Sequence, residues 1–279
     1  MRCFVPMLFV AALLPGCADP ELPGEEWYAC EVPQQAAHPR AEAYQRLIDD
    51  ALAAGTTAVS AAVIDGDGVW FAAGGQADLA QQIAAEPCHR FYFASVTKMF
   101  ASATALRLAE EGGWSLDDLV IDYLPEEVVS EIANLEISDP AQGVTLRRLL
   151  QHTSGVPDYL SVDYFTSAFN GELQGGTAAE ELEWAYGRDA LFEPGEDFEY
   201  SNANYLLLSL AMAQVTGEAA YDEVHRLVTE PLGLNETFGR SEGPDAIVRG
   251  YADLHGNGQL VDHTPLTEGV MMGAGKLDG

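Results

Sequence analysis

Lysine is almost missing from this chain: 279 residues contain only two, Lys98 and Lys276. Basic residues as a group are scarce, 13 against 44 acidic ones, for a formal net charge of −31. A surface this acidic repels phosphate and anionic lipid, so neither nucleic acid nor a charged membrane surface is expected as a partner. Cysteine is limited to Cys3, Cys17, Cys30 and Cys88. The histidines, His38, His89, His152, His225, His255 and His263, are scattered, and no Cys/His cluster has metal-ligand spacing. No metal and no other cofactor is expected. Apolar runs long enough to cross a bilayer are absent. So is any Gly-x-Ser-x-Gly stretch, which argues against the nucleophile elbow of an ordinary α/β-hydrolase.

What is present begins with an export signal over 1–16. Arg2 is its basic head and Phe4 to Leu14 its apolar stretch. Leu14-Pro15-Gly16-Cys17 resembles a bacterial lipoprotein cleavage box with Cys17 as the lipidated first residue, although Pro15 is unusual there. Gly16-Cys17-Ala18 also passes as a small-x-small cleavage site, which gives a soluble secreted protein, and a buried N-terminal helix is the third reading. The protein is therefore expected to be exported, either as a periplasmic or envelope lipoprotein or as a secreted protein. A membrane enters only through a lipid on Cys17. Residues 17–36, rich in Pro, Glu, Gly and Gln, read as a tether, and a single domain runs over 37–279. In an oxidising compartment Cys30 and Cys88 either pair or stay two thiols; the sequence leaves both open.

The domain starts with a helical pattern over 38–54, with Ala43, Leu47, Ile48 and Leu52 as its apolar side. Two strand-like runs follow, Ala58–Ile64 and Val69–Ala73, and Asp65-Gly66-Asp67-Gly68 between them is a hairpin signal. A long helix is expected from about Val96 to Glu111. It is apolar nearly all round, hence buried on most sides, and ends at Gly112-Gly113. Shorter helices are expected over Thr145–Gln151, Ala178–Tyr186, Asn202–Val215 and Ala219–Thr229, and two extended runs over Ile247–Asp262. The middle of the chain is thus a helical insert after a sheet-like start.

Against this background one of the two lysines stands in Ser95-Val96-Thr97-Lys98. Twelve serines and two lysines would produce about 0.09 Ser-x-x-Lys matches by chance. On a helix, residues i and i+3 share a face, so Ser95 and Lys98 meet if Ser95 opens the helix. The helix N-terminus favours a developing oxyanion and disfavours a charged lysine. Burial among Met99, Phe100 and Ala103 is expected to push the lysine pKa down further, which makes its amine a competent base for the serine hydroxyl. A second polar group interrupts an apolar stretch at Phe198-Glu199-Tyr200-Ser201-Asn202. Taken alone, it reads as packing plus a helix N-cap.

Taken together, these residues resemble the serine β-lactamase and penicillin-binding peptidase superfamily. The resemblance is greatest to its class C β-lactamase and D-alanyl-D-alanine carboxypeptidase branch. Phe93-Ala94-Ser95-Val96-Thr97-Lys98 matches the first motif and Tyr200-Ser201-Asn202 the Tyr-x-Asn form of the second. Between them, Leu149-Leu150-Gln151-His152-Thr153-Ser154-Gly155-Val156-Pro157-Asp158-Tyr159 looks like the family's Leu-Leu-x-His-Thr-Ser-Gly segment. The resemblance implies an α/β fold, with an antiparallel sheet flanked by helices and an all-helical insert. It implies Ser95 as the acylated nucleophile, Lys98 as its base partner and Tyr200 as the proton shuttle. Asn202 would bind Lys98 and the substrate carbonyl, and the Ser95 N–H would supply half of an oxyanion hole. His152 and Ser154 are assigned to a structural loop. The implied substrates are D-Ala-D-Ala-type peptides, β-lactams or small esters and amides; a penicillin-type sensor or cell-wall binding module is the alternative. Family members continue past a turn like Gly273-Ala274-Gly275 into strands with a Lys- or His-x-Gly motif. Those last strands are expected to be missing here, and Lys276 does not replace the motif.

Overall fold

The computed structural model describes residues 30–32, 34–35, 37–169, 172–173, 176–238, 247–253 and 257–264. The export signal, the Cys17 box, and the Gly273-Ala274-Gly275 turn with Lys276 lie outside them. No described helix is long and apolar enough to cross a membrane.

Helix α1 (Ala41–Ala53) leads into strands β1 (Ala58–Asp65) and β2 (Gly68–Asp78), which pair antiparallel with Asp65 opposite Gly68. The Gly66-Asp67 loop is therefore the two-residue hairpin expected. Strand β3 (Ile83–Ala84) adds to β2, giving the order β1-β2-β3. The helical insert follows: α2 (Thr97–Glu110), α3 (Glu126–Glu131), α4 (Leu146–Leu150), α5 (Val162–Phe169), α6 (Ala178–Leu182), α7 (Ala203–Thr216) and α8 (Ala220–Val224). Two short strands, β4 (Tyr251–Ala252) and β5 (Val261–Asp262), pair with each other. The segment before them returns to the sheet: Val248 N–H donates to the Arg90 carbonyl and Arg249 N–H to that of Ala77. The architecture is the expected α/β arrangement, an antiparallel sheet flanked by helices with a helical insert.

Local chemistry accounts for the boundaries. At the end of α2, Gly112 takes φ +80°, and the N–H groups of Gly112 and Gly113 close back on the carbonyls of Ala109 and Leu108. This paired closure is what a glycine past a helix end permits. Thr145 caps α4 by accepting from the Arg148 N–H. Thr177 and Glu180 form a reciprocal capping box on α6.

Two expectations about burial need correction. The helix surrounded by other elements is α7, of whose 14 residues nine are buried, Leu206, Leu207, Leu208 and Met212 among them. Each such leucine contributes about 1.5–3 kcal/mol. Helix α2 packs on α7 and α8 through Ala101, Ala105 and Leu108, whereas Val96, Met99 and Leu106 are exposed. Apolar residues spread around α2 did not say which side meets a neighbour, whereas α7, Leu-rich and without a charged residue, is the more apolar of the two. On α1 the inward side is Tyr44, Ile48, Ala51 and Leu52, and Leu47 is 67% exposed. Ala43 and Leu47 lie one residue off the i, i+4, i+7, i+8 stripe that faces the hairpin.

Cys30 and Cys88 form a disulfide across 58 residues. Closing a loop of that size removes about 4 kcal/mol of chain entropy from the unfolded state in the loop-entropy account. Just after it, the Gln35 carboxamide both donates to the Phe71 carbonyl and accepts from its N–H, so this stretch lies along β2. Asp65 ties the hairpin to α1. It accepts from Tyr44 and from the Arg40 guanidinium, and pairs with His38. The Asp67 N–H, His38 and the other donors together hold its carboxyl at about 2.

Candidate active site

Ser95 sits in the single 3-10 turn, Ala94–Val96, that precedes α2 rather than inside the helix. The preceding residue, Ala94, has φ +44°. A left-handed residue with a Cβ costs roughly 1–2 kcal/mol, a strain that tends to collect at functional positions. Ser95 is exposed, while Lys98, one turn later, is buried. The lysine is not enclosed by Met99, which is 71% exposed. Its ammonium lies 5.1 Å from the Tyr200 ring centre and 5.4 Å from that of Tyr205.

The four residues singled out in the sequence meet at one point. Tyr200 OH donates to Ser95 Oγ at 2.9 Å, and Lys98 Nζ lies 3.4 Å from the same oxygen. Lys98 also donates to Asn202 Oδ1 at 2.8 Å. Asn202 occupies the N-cap position of α7 but makes no side-chain cap bond. Its carboxamide is committed to Lys98 instead. The other serines near the motifs do not compete. Ser154 is buried with its hydroxyl on Asn204 Oδ1, and Ser201 is buried with a hydroxyl that has no partner. Chemically, an exposed hydroxyl with a phenol and an amine within reach is a nucleophile with two routes for its proton.

The His-Thr-Ser-Gly segment lies directly beneath this cluster. The His152 ring stacks on Tyr200, with centres 4.4 Å apart and planes 28° from parallel. Its Nδ1 accepts from the Ser201 N–H at 3.2 Å, so a neutral ring carries its proton on Nε2. His152 itself takes φ +56°. Asp158 accepts from both the backbone N–H and the side-chain amide of Asn202. Neither contact was legible in the sequence. The segment meets the Tyr-x-Asn turn across sequence separations of 44 and 49 positions.

Burial, with the Lys98 charge second, holds the His152 pKa below its ordinary 6.5. The folded state therefore binds this proton later than the unfolded chain does. As pH falls below about 6.5 the unfolded state takes up protons first, and the stability contributed by a neutral His152 is lost. The melting temperature is expected to fall between about pH 7 and pH 5, and to fall less in His152→Gln, which keeps an acceptor for Ser201. Equal losses in both proteins would remove His152 from the account.

Among the described residues one group has metal-ligand reach: His38, Asp65 and Asp67. The Arg40 guanidinium already sits against both carboxylates. The group lies at the hairpin turn, not at Ser95.

Penicillin-binding protein 4* of Bacillus subtilis (strain 168) is 29% identical over 196 residues, 68% of this chain and 41% of that protein. The chain spans 30–41% of the length of the curated relatives it matches. A D-stereospecific amidohydrolase from Streptomyces sp. superposes with a TM-score of 0.69 at 27% identity, over 84% of this chain and 68% of that one. The D-amino acid amidase of Ochrobactrum anthropi SV3, complexed with L-phenylalanine amide, gives 0.67 at 25% identity, over 85% and 64%. The sequence profile of the beta-lactamase family matches residues 44–277 and spans both motifs and the loop between them; the chain belongs to that family, in the serine-hydrolase superfamily it shares with penicillin-binding proteins and amidases.

Proposed function

We propose that this protein is a serine hydrolase that cleaves small amides, esters or β-lactams through an acyl-enzyme on Ser95. The observation that carries the reading is the convergence of Tyr200 OH and Lys98 Nζ on the exposed Ser95 Oγ. In the first step the Ser95 oxygen bonds to the acyl carbon and its proton passes to Lys98 or Tyr200. Tyr200 then returns a proton to the departing nitrogen or oxygen as the old bond breaks. Water attacks the resulting ester and Ser95 recovers its proton. Asn202 holds Lys98 in register and is the candidate contact for the substrate carbonyl. The Ser95 N–H is proposed as one oxyanion donor.

Amides of D-amino acids lead the substrate class, because two solved structures this chain resembles are a D-stereospecific amidohydrolase and a D-amino acid amidase. D-Ala-D-Ala-type peptides and β-lactams share the same bond type. We also propose an exported location, as a Cys17-anchored or secreted protein. The Cys30–Cys88 disulfide supports an oxidising compartment.

The test is ammonia release from D-phenylalanine amide against its L-isomer, run beside p-nitrophenyl acetate and nitrocefin. The expected result is turnover of the D-amide in preference to the L-form. Covalent labelling by a fluorescent penicillin with no turnover of any substrate would favour the sensor or cell-wall binding alternative. Absence of both labelling and turnover in the intact protein would overturn the hydrolase reading.

A further inference from the structure

We infer that Asp158 is a positioning residue for the Ser95–Lys98 pair, acting through the side-chain amide of Asn202. This rests on the acyl-enzyme reading above. The amide of an asparagine is nearly symmetric in shape, so its neighbours decide which end faces which way. Here Lys98 requires the oxygen: it donates to Asn202 Oδ1 at 2.8 Å. An amine donor on one side does not hold the amide by itself, since the NH2 end must also find an acceptor in a buried place. Asp158 Oδ2 supplies it, accepting from Asn202 Nδ2 at 2.8 Å.

The carboxylate is in turn held by backbone. Asp158 Oδ1 accepts from the N–H of Asn202 at 3.1 Å and from that of Leu160 at 3.2 Å. Its own loop is pinned by Ser154, whose hydroxyl donates to Asn204 and accepts from the Val156 N–H. The chain of contacts thus runs from a fixed loop, through Asp158 and Asn202, to Lys98 and the nucleophile. Asp158 touches neither Ser95 nor Lys98 in any of these bonds, and it delivers orientation rather than a proton.

Asp158→Asn separates orientation from folding. The new side chain has one oxygen and one NH2. Two backbone N–H donors compete for the oxygen and keep it where Oδ1 was. The NH2 then faces Asn202 Nδ2, donor against donor. The relief is a half-turn of the Asn202 amide, which brings its oxygen to residue 158 and its NH2 to Lys98. Lys98 loses its acceptor while the loop keeps its backbone bonds.

The experiment is a double-mutant cycle on the rate at which a fluorophosphonate probe labels Ser95, with melting temperature measured alongside. The parent, Asp158→Asn, Asn202→Ala and the double variant are followed for hours. Misplacing a reacting group by about 1 Å costs on the order of 10²-fold, and Asp158→Asn is expected to slow labelling by about that factor. In the Asn202→Ala background the same change is expected to cost less than about threefold, because the group it positions is gone. A loss of equal size in both backgrounds, or labelling at the parent rate in Asp158→Asn, would overturn the positioning role. A parent protein that does not label at all would instead defeat the hydrolase reading, with Ser95→Ala as the blank that identifies the labelled residue.

Discussion

Ser95→Ala is expected to abolish covalent labelling by fluorophosphonate or fluorescent penicillin, and with it all turnover. The variant removes the only atom to which both Tyr200 OH and Lys98 Nζ point among the described residues. No acyl-enzyme forms without that oxygen, so the effect is a loss to background rather than a graded decrease. The fold is not at stake. Ser95 is exposed, lies in a turn, and alanine retains the backbone that starts α2. Labelling that survived with an unchanged stoichiometry would place the nucleophile elsewhere. Ser154 and Ser201 are the next to test, and their burial means that the local structure would have to open first.

Lys98→Ala is expected to slow acylation by about 10²–10⁴-fold, the usual contribution of a positioned acid or base. Tyr200→Phe is expected to lose a similar factor in acylation and to slow release of the acyl group as well, because the phenol serves both steps. The two changes differ in their structural cost. Lys98 is buried between two aromatic rings and bonded to Asn202, so its removal leaves Asn202 Oδ1 without a donor. That carries a desolvation penalty of about 1–3 kcal/mol, and melting should register it. Tyr200→Phe keeps the ring that stacks on His152 and deletes only the hydroxyl at the protein surface. Its stability should match the parent. Burst kinetics with a p-nitrophenyl ester separate the steps: a missing burst marks a failed acylation, and a normal burst with a slowed steady state marks failed release. Near-normal turnover in both variants would disprove the Ser95–Lys98–Tyr200 assignment.

The candidate site was legible in the sequence because its parts are local or rare. Ser95 and Lys98 are one turn apart, and a lysine in a chain that has almost none draws attention to its neighbours. The Gly66-Asp67 hairpin and the Gly112-Gly113 stop after α2 are likewise written in a few adjacent residues whose backbone chemistry admits few alternatives. Several short elements escaped notice. Strand β3 has two residues and α3 six, too few for a period of two or of 3.6 to show. Tyr200 and Asn202 stood in between. Alone they looked like packing and a cap, and only order along the chain joined them to Ser95.

What the sequence by itself determined is therefore the inventory of reactive groups, the succession of helices and strands around them, and the acidic character of the chain. What only the tertiary structure decided is which groups touch. Asn202 gave up its cap role because its amide lies between Lys98 and Asp158, residues 104 and 44 positions away. His152 became the platform beneath Tyr200 across a comparable gap. Helix α7 became enclosed while α2 kept an open side with Met99 and Leu106 on it. The pairing of Cys30 with Cys88 was decided the same way. Each of these contacts depends on the direction in which a whole element packs. That direction follows from the sum of many weak apolar contacts over the fold, and no short stretch of sequence contains the sum.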